Sequence, residues 1–67
     1  MNKEEFEKMW NEVLLEVKSV VLDCGGNELR VGTDSYRHLK DGMIVFYFNK
    51  WRVVEVPMDM VKSVEDY

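Results

Sequence analysis

The sequence predicts one α+β domain spanning residues 1–67, in two layers, ordered helix, three antiparallel strands, helix. Three observations predict it. Apolar residues recur at alternating spacings of three and four from Phe6 to Cys24, which lines one face of a helix. Two runs rich in aromatic and β-branched residues, Met43–Phe48 and Trp51–Val56, flank Asn49 and Lys50, as in a hairpin. The chain has only 67 residues, so it makes one domain with a small core, burying roughly 60% of its unfolded surface.

The first helix is expected over residues 3–23. Asn2 is a good N-cap, and Glu5 three residues later completes a capping box. Glu4, Glu5 and Glu7 suit the positive end of the helix dipole. The stripe runs through Phe6, Met9, Trp10, Val13, Leu14, Val17, Val20, Val21 and Cys24, while Leu15 and Leu22 fall off it. Gly25 and Gly26 stop the helix. A competing reading takes the β-branched stretch from Val17 to Leu22 as a strand, turned by Gly25, Gly26 and Asn27 into the next one. The continuous helix is preferred because the three-four spacing persists.

Residues 28–33 alternate polar and apolar and read as a short strand, with Leu29 and Val31 on one side. Residues 34–42 read as a polar connection, with Asp41–Gly42 as its turn and Tyr36 and Leu39 pinning it. In the hairpin, a two-residue loop opposes Phe48 to Trp51, Phe46 to Val53 and Ile44 to Glu55. Pro57 ends the ladder, since it has no N–H to donate. Met58, Val61 and Val64 recur every three residues, which predicts a short closing helix over residues 58–66.

Composition narrows the chemistry. A lone cysteine, Cys24, makes no intrachain disulfide and fits a reducing cytoplasm. Its neighbours Asp23 and Gly25 bring no positive charge, so a buried or inert thiol is expected. With His38 it is the only soft ligand, and zinc wants four. No apolar run approaches the about 18 residues of a membrane span. No metal, cofactor or membrane is therefore expected. Asp34, Ser35, His38 and Asp41 lie close in sequence, but a polar loop of so small a domain offers no dry site. His38 reads as a surface histidine and the protein as no enzyme.

Charge is unevenly spread. The net charge is −4, yet residues 28–52 hold three acids and five bases while both flanks are acidic. Basic residues among aromatics can hold phosphates and stack bases, so nucleic-acid binding through residues 30–52 is the alternative reading. A pI near 4.8 argues against it. The bland reading pairs a basic sheet with acidic helices. The predicted element order resembles that of the double-stranded-RNA-binding domain, in order only. The family's lysine-rich start of the second helix is absent here, where Pro57, Met58, Asp59 and Met60 precede a single Lys62. The family's Gly-Pro loop between its first two strands is absent too, so no functional residue carries over.

The hairpin carries the functional expectation. Both of its faces are apolar, whereas a sheet with one solvated face alternates. Two helices cover one face, and a partner protein or a second copy would cover the other. The expected function is a non-enzymatic protein-binding module, an adaptor, accessory or inhibitor that forms homodimers. Its candidate contact residues are Tyr36, Arg37, Tyr47, Lys50, Trp51 and Arg52.

Overall fold

The opening helix forms as its cap predicts, but it is short. A computed structural model describes all residues 1–67. Helix α1 spans Lys3–Glu12. The Asn2 side chain accepts from the Glu5 N–H at 2.8 Å. At Val13 the backbone turns extended, and the helix expected through residue 23 stops there.

The competing hairpin forms instead. Strand β1 is Lys18–Asp23 and β2 is Glu28–Thr33, antiparallel, with Val20 opposite Val31 and Leu22 opposite Leu29. Gly25 and Gly26 both take positive φ, 68° and 96°, which suits residues without a Cβ. The helical spacing misled because Val17, Val20 and Val21 are β-branched. Such residues lose rotamer freedom on a helix and pack well on a pleated sheet. Pairing on both sides of β1 adds to that preference.

Beyond Thr33 the chain bends at Asp34 and continues as β3, Ser35–His38. The expected loop over residues 34–42 thus contains a strand. A 3-10 turn, Lys40–Gly42, leads to β4, Met43–Phe48, and a tight turn leads to β5, Trp51–Pro57. The turn at Asp41–Gly42 forms as expected, with φ of 61° and 74°.

The hairpin holds one correction. Phe48 does oppose Trp51, but Phe46 opposes Val54 and Ile44 opposes Val56. Val53 is an extra residue, a bulge between Arg52 and Val54. The slip turns Val54 and Val56 to the side of Ile44 and Phe46. Glu55 moves opposite Val45 on the other side.

No closing helix forms. Met58–Met60 is a 3-10 turn and Val61–Asp66 is strand β6, antiparallel to β1. A second bulge explains the misleading spacing. Leu22 pairs with Val61 and Val21 with Ser63, leaving Lys62 as the extra residue. Val61 and Val64, three apart, therefore share a face as they would on a helix. The resemblance in element order to the double-stranded-RNA-binding domain falls with that helix.

The architecture is one helix and two three-stranded antiparallel sheets, ordered β2-β1-β6 and β3-β4-β5. This replaces the single sheet with two helices. The two sheets share one core: Val20, Leu22, Val31, Val61 and Val64 from the first meet Ile44, Phe46 and Val56 from the second. Phe6 and Trp10 of α1 close it. Phe6 is fully buried, edge-on to Tyr36 with ring centroids 4.8 Å apart. Burying such a ring stabilises the fold by about 1.5–3 kcal/mol.

Candidate functional site

The six contact residues do not form one patch. Alternation along β3, β4 and β5 sends them to different sides. Tyr36 faces inward, held between Phe6 and Trp10, with the Trp10 ring 4.7 Å away. Burial pushes its hydroxyl pKa up, and the nearby Glu7 carboxylate adds to the rise. Arg37, Tyr47 and Arg52 share the outward side of their sheet. Arg52 stands 3.6 Å from Glu55. Lys50 occupies the turn, and Trp51 follows on the inward side, beyond the end of the core.

The basic residues disperse as well. Arg30 lies in the other sheet, in an ion pair with Glu65. Lys40 sits in the 3-10 turn before β4, at the end away from Lys50. Lys62 pairs with Glu28. Two of these links join the basic middle of the chain to its acidic flanks: Arg30 to Glu65, and Arg52 to Glu55.

The second face of the hairpin is largely covered by the chain itself. Val45 is fully buried on that side, between Arg37 and Glu55 in register. Arginine and glutamate stems can shield an apolar neighbour while their charged ends stay wet. The surplus apolar surface that the sequence placed on a whole face is confined to the hairpin end. Phe48 is 40% exposed, Trp51 75% and Val53 44%.

Sequence reasoning missed a second exposed apolar group. Leu14 and Leu15, in the α1–β1 loop, are 93% and 51% exposed. The signal was present, since Leu15 falls off the helical stripe. Within this loop the Lys18 ammonium donates to the Leu15 carbonyl at 2.6 Å and lies 4.8 Å from the Trp10 ring centroid.

Two other residues depart from expectation. Cys24 is exposed, which removes the buried alternative of the expected buried or inert thiol. His38 is not on the surface: its side chain is mostly buried beside Phe6 and Tyr36, and neither ring nitrogen has a hydrogen-bond partner. No pocket opens on the molecule, and no three His, Cys, Asp or Glu gather to hold a metal ion. No helix is long and apolar enough to cross a membrane. Comparison with protein-family models, curated proteins and solved structures finds no match to this chain.

Proposed function

We propose that this chain is a small non-enzymatic protein-binding module that docks through the exposed end of its β4–β5 hairpin. One observation carries the reading: Trp51 is three-quarters exposed beside Phe48 on a two-residue turn. A folded chain gains nothing from an indole in water. Tryptophan is over-represented among residues that dominate binding energy, because one ring buries a large area and loses little rotamer entropy. The bulge at Val53 supports the same reading, since it re-aims side chains at a sheet edge. Nucleic-acid binding draws less support, because the bases are spread over two sheets and a turn, several of them beside acids.

Photocrosslinking in the native cell tests the reading. A photoreactive phenylalanine analogue replaces Phe48, and the adducts are identified by mass. The expected result is one dominant protein adduct, a second copy or a different protein, that disappears on adding Trp51→Asp. No adduct, or a diffuse set insensitive to Trp51→Asp, rejects the reading.

A further inference from the structure

We infer that the partner presents an extended segment of its chain, which adds as a strand to the open edge of β2 beside the β4–β5 turn. This rests on the protein-binding reading above and names the chemistry of the partner.

The hydrogen-bond ladder locates the edge. The Cys24 N–H donates to the Asn27 carbonyl at 2.7 Å and closes the β1–β2 turn. In an antiparallel pair every second residue exchanges bonds with its partner. From that turn the alternation bonds Leu29, Val31 and Thr33 to Leu22, Val20 and Lys18 of β1. Glu28, Arg30 and Gly32 then point their N–H and C=O groups away from β1. The next residue in this second set, Asp34, does find a partner: its N–H donates to the Tyr47 carbonyl of β4 at 3.0 Å. There the neighbouring strand ends. The chain turns at Asn49, whose N–H donates to the Asp34 carboxylate at 2.9 Å, and leaves as β5. Since β2 is the last strand of its sheet, no strand runs along the edge that Glu28, Arg30 and Gly32 face.

The other three edges are blocked. Strand β5 carries the bulge at Val53 and ends in Pro57. Strand β6 carries the bulge at Lys62. Strand β3 is four residues long, with α1 packed on its Tyr36 and His38. Bulges, prolines and shortness are the devices that keep a foreign strand off an edge. Strand β2 has none of them: its six residues pair with β1 in unbroken register and include no proline. Its two charged side chains are drawn across the outer face of the sheet, Arg30 to Glu65 and Glu28 to Lys62, rather than along the edge.

This edge selects its occupant. Unpaired N–H and C=O groups at strand spacing are matched by another extended backbone, with side-chain contacts on alternate residues. Leu29 is half-exposed on the inner side of the sheet, opposite Leu22. Residues of the added strand beside Leu29 and Val31 are therefore apolar, and those beside Glu28 and Arg30 polar. At the Thr33 end the added strand meets the turn that Asp34 holds, two residues before Trp51.

Hydrogen exchange tests this, with a peptide selected on the native chain from a displayed library of random sequences and then synthesised. The free chain is expected to exchange its Arg30 and Gly32 amides fast. Saturation with the peptide is expected to slow both by about tenfold. The peptide is expected to alternate apolar and polar residues. Methylating the backbone nitrogens of its odd or of its even residues is expected to abolish binding in one case and to be tolerated in the other. Arg30→Pro is expected to fold, since the N–H it removes faces away from β1, and to lose the peptide. The methylated peptides test the same point on the unaltered chain. Failure to select a peptide overturns the inference, as does a bound peptide that leaves both amides fast or that Arg30→Pro still holds. Amides already slow in the free chain, with a dimer mass in sedimentation, overturn it in favour of a second copy. A peptide that leaves both amides fast but is lost with Trp51→Asp rejects only strand addition and leaves the binding reading standing. No peptide and no adduct from position 48 reject both.

Discussion

Tyr67 lies over Gly32, so close that a Cβ on residue 32 would stand 2.6 Å from the tyrosine Cε1. Glycine inside a strand costs about 0.5–1 kcal/mol relative to alanine. Gly32→Ala should therefore stabilise β2 unless the ring is in the way. The expected result is near-neutrality in the native chain, where the tyrosine must swing aside. With Tyr67→Ser as background, Gly32→Ala should stabilise by about 0.5–1 kcal/mol. Urea unfolding of the four chains closes a double-mutant cycle, and strictly additive values would show that the two residues do not touch.

The turn between β4 and β5 offers a simpler gain. Asn49 and Lys50 both have positive φ, 51° and 70°, as a two-residue type I′ turn needs. Asparagine tolerates that region, but a lysine there costs about 1–2 kcal/mol. Lys50→Gly is expected to raise stability by about 1 kcal/mol. Thermal unfolding measures it, and a lower melting temperature would show that the Lys50 side chain makes a contact worth more than the strain.

These two sites also show how far the sequence could be read. The Asn2 cap, the hairpin over residues 43–56 and its two-residue loop were legible because each is a local signal with its own chemistry. Phe48 opposite Trp51 followed directly. The helix expected over residues 58–66 failed because the bulge at Lys62 sets Val61 and Val64 three apart on one face of a strand. Bulges leave no mark in sequence that separates them from a helical turn. The stretch from Val17 to Leu22 was ambiguous for a different reason. Its periodicity fits a helix, and only pairing with β2 and β6, far apart in sequence, decides against it. The candidate site was half legible: Trp51 and Lys50 fell at the exposed end, but Tyr36 serves the core. Leu14 and Leu15 stayed hidden because a stripe drawn through a continuous helix absorbed the first of them.

The bend joining the two sheets is held by the Asp34 N–H on the Tyr47 carbonyl, the Asn49 N–H on the Asp34 carboxylate and one buried hydroxyl. Thr33 is fully buried, and its Oγ1 lies 2.6 Å from the Tyr47 carbonyl oxygen and 2.9 Å from that of Ser35. Thr33→Val keeps the shape and removes the donor. The hydroxyl has one proton to give, and the Tyr47 carbonyl also accepts from the Asp34 N–H at 3.0 Å, so the loss should be that of one ordinary hydrogen bond, about 0.5–1.5 kcal/mol. Urea unfolding measures the loss, and a cost below the error of the fit would mean that the bend holds without the hydroxyl.

His38 should behave in the opposite way. Its ring is mostly buried, and neither nitrogen has a hydrogen-bond partner. Removing a polar group that makes no bond recovers its desolvation cost. His38→Leu is therefore expected to be neutral or to stabilise by up to about 1 kcal/mol, set against the lost edge contact with Phe6. Its unfolding midpoint decides. A loss above about 2 kcal/mol would reveal a bond to the ring in solution, and Glu7 at 3.6 Å is the group placed to make it.

The outer face of the first sheet carries a pH signature. Val21 is buried on that face, with Arg30 and Ser63 as its register partners, and Arg30 reaches across to Glu65. The hydrogen bond from the Arg30 guanidinium holds the Glu65 carboxyl below the usual carboxylate range, with the same charge and the Ser63 hydroxyl contributing. A carboxyl whose folded pKa is depressed stabilises the fold above its unfolded pKa. That contribution is lost as pH falls through the folded value. The pair is about half exposed, so the contribution is small and weakens with salt. The sharper readout is the titration itself. Followed by the carboxyl carbon shift, Glu65 should titrate below the usual carboxylate range. Arg30→Met should return it toward that range. An unchanged midpoint in Arg30→Met would mean that the ion pair does not persist in solution.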